Sequence, residues 1–178
     1  MLEKDFSNYE VLITEEQLAA RVKELGKQIS EDYKDSDELL LVAILKGSVP
    51  FMADLMRAID VPAKIDFMIV SSYGAGTSTS GNINIKMDLA SDIKDKDVII
   101  VEDIIDSGLT LHYLTEYLWK RGPRSLKTAT ALDKPSRRKV DFVPDYCGFE
   151  VEDKFIIGYG LDYDQKYRNL PFISWIKE

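Results

Sequence analysis

Between Val98 and Leu111 the chain reads V-I-I-V-E-D-I-I-D-S-G-L-T-L. Three carboxylates, Glu102, Asp103 and Asp106, follow an apolar run, and Ser107, Gly108 and Thr110 come directly after them. Carboxylates beside a buried strand are costly to desolvate unless something pairs with them. Sugar hydroxyls can donate to them, and Mg2+ can bind through them or through its waters. Gly108 lets backbone approach a ligand closely. A helical pattern follows, and the free N–H groups of a first helical turn attract an anion, with the Ser107 and Thr110 hydroxyls as added donors. The stretch suits a ligand that carries both hydroxyls and a phosphate. The plainer alternative is a strand–turn–helix junction in which Asp106 or Ser107 merely caps the helix. A cap needs one such residue, and this stretch holds five polar candidates.

Other candidates stand at the ends of other elements. Lys46 and Gly47 lie between an apolar run and a helical pattern, where a cation and a glycine can cradle an anion; a solvated lysine in a turn is the more ordinary reading. Residues 71–82, S-S-Y-G-A-G-T-S-T-S-G-N, hold three glycines and many hydroxyls and build no core. They read either as a plain hairpin connection or as a lid that excludes water from a bound substrate. Lys134 follows another strand pattern, and the basic run Arg137, Arg138, Lys139 after it reads as a solvated turn. Cys147 and His112, the only residues of their types, make neither a disulfide nor a zinc site together.

The elements that position these residues are legible from periodicity. Residues 14–33 form an amphipathic helix with a Thr14–Gln17 capping box and one apolar face: Leu18, Val22, Leu25, Ile29 and Tyr33. Leu39–Leu45 is apolar throughout, as in a strand buried on both faces of a parallel sheet. Pro50 suits the first turn of the next helix, with Phe51, Leu55, Met56 and Ile59 as its buried face. Residues 64–70 and 126–132 are further strands, and Ile83–Met87 alternates like a returning strand. Residues 88–97 read as a solvated polar connection. Leu111, Leu114, Leu118 and Trp119 give the central helix its apolar face, and Gly122–Pro123 close it. Ligands of open parallel α/β sheets bind beyond the carboxyl ends of the strands, the side on which these loops lie.

A chain of 178 residues fits one domain, 1–178. Its 23 basic and 31 acidic residues leave a net charge of −8, which disfavours nonspecific binding to nucleic acid or to an anionic membrane. An anionic substrate then needs a local basic patch or metal ions. The start, M-L-E-K-D-F, lacks the basic and apolar regions of a signal peptide, so a cytoplasmic address is expected.

Val98–Leu111 resembles the phosphoribosyl-diphosphate (PRPP) signature of type I phosphoribosyltransferases, and E-D-I-I-D-S-G is most similar to their hypoxanthine-guanine branch. Lys46–Gly47 resembles that family's diphosphate loop, L-K-G, and Ser72–Tyr73 the pair that opens its flexible loop. The segment G-F-E-V-E-D-K-F-I-I-G-Y-G-L-D-Y-D-Q-K-Y-R-N-L-P-F resembles its C-terminal region. The resemblance implies an α/β fold: a central, mostly parallel sheet flanked by helices, with a small hood subdomain from the chain-terminal segments. It implies purine salvage, in which hypoxanthine or guanine takes the phosphoribosyl group of PRPP to give IMP or GMP plus diphosphate.

The same resemblance implies the site. Glu102 and Asp103 hold the ribose, and Asp106, Ser107, Gly108, Leu109 and Thr110 complete the ribose and 5′-phosphate site. Lys46, Gly47 and Arg168 take the diphosphate. Lys134 donates to the purine 6-oxo group, Phe155 stacks on the base, the Ile156 backbone reads its edge, and Asp162 lies near metal and base. Mg2+ is the cofactor, near Glu102, Asp103 and Asp162. Asp106 is the catalytic base, or the acceptor for the N7 proton. In that family the peptide before the lysine is often cis, which here is Leu45–Lys46, and the resemblance suggests a homodimer or homotetramer. Leu109 departs from relatives that carry lysine there. A nucleic-acid-binding regulator of the same fold is disfavoured by the charge and by Lys46, Asp106, Lys134 and Arg168. Lys134 and the aromatics favour a 6-oxopurine, with xanthine left open.

Overall fold

Leu39–Leu45 (β2) is buried along almost its whole length. Leu39, Leu41 and Ala43 face one apolar layer, and Leu40, Val42 and Ile44 face another. A strand apolar on both sides belongs in the middle of a sheet covered on both faces, and β2 lies there. The computed structural model describes residues 9–72 and 83–176. Its main sheet has the order β4-β3-β2-β5-β6-β7, with β3 at Ala63–Ser72, β4 at Ile83–Met87, β5 at Asp97–Ile105, β6 at Ser125–Asp133 and β7 at Tyr146–Glu150. Every pairing is parallel except β3–β4.

Helices α1 (Glu15–Asp32) and α2 (Val49–Ala58) cover one face through Leu18, Val22, Leu25, Ile29, Phe51 and Leu55. Helix α3 (Leu109–Trp119) covers the other through Leu111, Leu114 and Leu118. The capping box forms: Gln17 N–H donates to Thr14 Oγ1, and Thr14 N–H to Gln17 Oε1. At the α1–α2 crossing, a methyl on Gly26 would meet the Ala58 carbonyl carbon at 2.6 Å, so no larger residue lets the helices approach this closely.

A second, three-stranded antiparallel sheet of order β1-β9-β8 joins Tyr9–Ile13, Ile173–Ile176 and Ile156–Ile157. It is the expected hood, built from the two ends of the described chain. Among the described residues, no helix is long and apolar enough to cross a membrane.

Several sequence expectations needed correction. Met56 and Trp119 are exposed, at 40% and 55%, and Met52 takes the buried place on α2. Met52 is one turn before Met56, on the side of Phe51 and Leu55, so the apolar stripe is shifted rather than lost. Residues 88–97 are not simply solvated. Ile93 is fully buried, Asp88 accepts from Tyr117 and Arg121, and Asp97 is held by Arg124, Ser36 and Ser125.

Candidate active site

The sheet order turns outward in both directions from β2, since β3 lies on one side of it and β5 on the other. Such a switch point leaves a crevice past the carboxyl ends of β2 and β5. A cavity of about 450 Å³ opens there, lined by Ile44–Gly47, Val70, Ser71, Glu102–Gly108, Thr110, Leu111 and Arg168.

Glu102 and Asp103 do not follow β5. The strand runs on to Ile105, so both acids are strand residues at its carboxyl end. Burial pushes the Glu102 carboxyl well above its usual range, and the adjacent Asp103 charge adds to the push. Burial also raises Asp103, opposed by its hydrogen bond with Glu102, by Ile104 N–H and by the Arg168 charge. Both carboxylates line the same cavity, side by side, and call for a cation or hydroxyl donors. The fit of Mg2+ rests on this: a hard cation takes oxygen ligands and relieves such a pair.

Past β5, Gly108 adopts φ 78° and leads into α3 without a side-chain cap. Leu109 N–H donates to Ser107 Oγ at 3.3 Å. The next strand's turn, Lys134–Lys139, backs this loop. Lys134 N–H donates to Ile105 O at 2.9 Å, an Arg138 guanidinium N–H to Asp106 O at 2.8 Å, and Lys139 N–H to Ser107 O at 2.9 Å. Arg138 also pairs with the buried Asp133 carboxylate. The solvated-turn expectation fails for Arg138, which the run of basic residues does not distinguish from its neighbours. Asp106 itself is half exposed, with Arg137 Nε 3.6 Å from its carboxylate.

The Leu45–Lys46 peptide is cis. Gly47 packs directly on Asp103: a methyl there would overlap the carboxylate and lie 2.6 Å from its Cγ. Lys46 Nζ donates to Gln165 Oε1 at 3.3 Å. Arg168 donates to Gly160 O at 2.7 Å and pairs with Asp162 at 2.7 Å. The same Asp162 side chain accepts from Gln165 N–H at 2.8 Å. Gln165 therefore bridges the two candidate diphosphate cations, a role that no motif in the sequence announces. Among the described residues, no three His, Cys, Asp or Glu side chains gather to hold a metal. Asp162 thus faces Arg168 rather than forming one group with Glu102 and Asp103.

Lys134 is 7% exposed, and its ammonium donates to Lys154 O at 2.7 Å. That carbonyl directly precedes Phe155, which is 55% exposed and meets Tyr163 edge to face at 5.5 Å. Lys154 in turn lies over the Trp175 ring. β8 is an edge strand, and Ile176 N–H donates to Phe155 O across it. In an antiparallel ladder hydrogen-bonded and open pairs alternate. The next pair, Ile156–Trp175, is therefore the open one, and the Ile156 N–H and C=O point outward from the sheet edge. The Lys134–Lys154 bond thus brings Lys134 beside the segment that carries Phe155 and Ile156.

Ser72 ends β3, while Tyr73 lies outside the described residues. Cys147 is partly buried, its thiol pushed up to about 11 by burial and nearby carboxylates. His112 is exposed on α3 near Glu116.

Comparison with known proteins agrees with this geometry. The phosphoribosyl transferase domain family matches residues 9–164. The hypoxanthine phosphoribosyltransferase of Salmonella typhimurium is 54% identical over 166 residues, 93% of each chain. The hypoxanthine-guanine phosphoribosyltransferase of Bacillus subtilis is 51% identical over 94% of this chain and 92% of its own. A crystal structure of a hypoxanthine phosphoribosyltransferase from Staphylococcus aureus superposes with a TM-score of 0.95 at 48% identity, covering 99% of this chain and 96% of that one. A cavity at the switch point, lined by an acidic strand end and a glycine-containing helix start, and this likeness along nearly the whole chain lead to one conclusion: the chain belongs to the phosphoribosyltransferase family.

Proposed function

We propose that the chain transfers the phosphoribosyl group of PRPP to hypoxanthine or guanine, giving IMP or GMP and diphosphate, in purine salvage. One observation carries this reading. The acid pair, the phosphate loop and Arg168 line one cavity, and the turn that backs the loop carries Lys134, which is bonded to the residue before Phe155.

Glu102 and Asp103 accept from the ribose hydroxyls and keep the sugar still. Bond breaking at the ribose carbon builds positive charge on the sugar and negative charge on the leaving diphosphate, so positioning and electrostatics dominate. The amides of residues 106–110, with the Ser107 and Thr110 hydroxyls, take the 5′-phosphate. Lys46, the Gly47 amide and Arg168 hold the diphosphate. Glu102 and Asp103 would hold Mg2+, directly or through its waters, and the ion would supply positive charge for the diphosphate. Asp162, paired with Arg168, is the third candidate for holding that ion. Asp106 accepts the N7 proton of the purine.

Lys134 donates to the 6-oxo group, Phe155 stacks on the ring, and the outward N–H and C=O of Ile156 read its edge. Adenine presents a donor where Lys134 needs an acceptor, so it is rejected. The same reading includes a homodimer or homotetramer and a cytoplasmic address. Product analysis tests the reading: hypoxanthine, PRPP and Mg2+ should give IMP and diphosphate in equal amounts. Diphosphate released without nucleotide would mean hydrolysis alone and would sink it.

A further inference from the structure

Three successive carbonyls of the phosphate loop are tied to one turn of the chain. Ile105 O accepts from Lys134 N–H, Asp106 O from the Arg138 guanidinium and Ser107 O from Lys139 N–H, all at 2.8–2.9 Å. A trans peptide is planar, with its C=O and N–H pointing in opposite directions. Fixing these carbonyls against the turn therefore aims the N–H groups of Asp106, Ser107 and Gly108 the other way. None of those N–H groups has a partner among the described residues, and all three residues line the cavity.

Of the three ties, the middle one alone is made by a side chain, so it alone can be removed without altering the backbone. Arg138 is itself fixed. Its guanidinium pairs with Asp133, and the two side chains are 15% and 8% exposed. Its stem runs over Gly108, where a methyl would come to 2.8 Å from Arg138 Cδ. A planar guanidinium has the fork geometry to serve a carboxylate and a carbonyl at once; a lysine ammonium on a flexible stem does not.

We propose that Arg138 is a positioning residue for the 5′-phosphate of PRPP. It touches no substrate and acts by holding the Asp106 carbonyl so that the loop amides present a preformed anion cradle. The inference rests on the phosphoribosyl-transfer reading and adds to it the device that shapes the loop from behind.

Steady-state kinetics with PRPP and hypoxanthine varied in turn test it, on the wild type, Arg138→Met, Arg138→Lys and Asp133→Asn, with thermal midpoints for each. Arg138→Met should raise the KM for PRPP by about tenfold or more, with the KM for hypoxanthine within about twofold. Arg138→Lys should fall between that variant and the wild type. Asp133→Asn weakens the ion pair but keeps the guanidinium on the carbonyl, so it should lower the thermal midpoint and leave the KM for PRPP within about threefold. An unchanged KM for PRPP in Arg138→Met overturns the proposal. So does an equal rise in Asp133→Asn at an equal loss of midpoint, since a general loss of stability then explains both. If Arg138→Met does not fold, Arg138→Lys decides: a raised KM for PRPP supports the proposal, and a wild-type value overturns it. A wild type that forms no nucleotide refutes the transfer reading instead, a distinct outcome.

Discussion

Replacing Gly47 by alanine should disable the enzyme without unfolding it. All three of the closest atoms to an added methyl belong to the Asp103 side chain, with Cγ at 2.6 Å. Ordinary carbon–carbon contact is about 3.5 Å, so the carboxyl carbon must retreat by roughly 1 Å and its oxygen by more. Asp103 is the far end of a short side chain on the strand end, so rotating it costs the fold little. A misplacement of about 1 Å at a group that holds the substrate can cost about 100-fold in rate, or about 2.7 kcal/mol of transition-state stabilisation. Gly47→Ala should therefore lower kcat/KM for PRPP by about 100-fold, with far-ultraviolet circular dichroism unchanged and a thermal midpoint close to the wild type. The decisive assay is a double-mutant cycle with Asp103→Ala. If the methyl acts through Asp103, Gly47→Ala should cost little more once the Asp103 carboxylate is gone. Additive losses, or a Gly47→Ala enzyme with more than half of wild-type activity, would refute the steric link between the diphosphate loop and the ribose acids.

Three other expectations follow from the geometry. Lys134→Ala should raise the KM for hypoxanthine and guanine by about tenfold or more and leave that for PRPP little changed; unmoved purine kinetics would make Lys134 a structural anchor of Lys154 alone. Asp106→Asn should cut kcat by about 100-fold or more while PRPP still binds, as measured by equilibrium binding; an unchanged kcat would remove the proton-acceptor role. The third concerns stability. Asp97 is lowered from 3.8 to about 2, chiefly by the Arg124 guanidinium, then by the Ser36 and Ser125 hydroxyls against the cost of burial. Its folded value lies below its unfolded one, so its contribution is full above pH 3.8 and is lost as pH falls toward 2. The shift corresponds to about 2 kcal/mol. The difference in urea unfolding free energy between wild type and Asp97→Asn should shrink from pH 6 to pH 3, and a difference that does not vary with pH would refute the assignment.

The sequence carried most of the frame because apolar patterning and loop chemistry agreed. Leu39–Leu45 is apolar at every position, which places it mid-sheet, and the strand–turn–helix at Val98–Leu111 announces an anion site. It did not reveal Arg138, because three consecutive basic residues look alike until the fold puts one of them behind the phosphate loop. Gln165 was hidden for a similar reason: its bridge to Lys46 joins positions far apart in the chain. Trp119 and Met56 were misplaced because an apolar residue next to a helical stripe has the right chemistry and the wrong angle. Asp97 read as part of a solvated connection, since its partners Ser36 and Arg124 come from other elements. The acid pair was assigned to the right place but not to the right element, because nothing local ends β5 before Ile105.

The most direct test of the central claim is a panel of hypoxanthine, guanine, xanthine and adenine, each supplied with PRPP and Mg2+, with diphosphate release followed in each case. Hypoxanthine and guanine should both release diphosphate with formation of their nucleotides. Adenine should be slower by about 10⁴-fold in kcat/KM, because Lys134 would face a donor. Diphosphate release with adenine at a comparable rate, or with none of the four bases, would contradict the account.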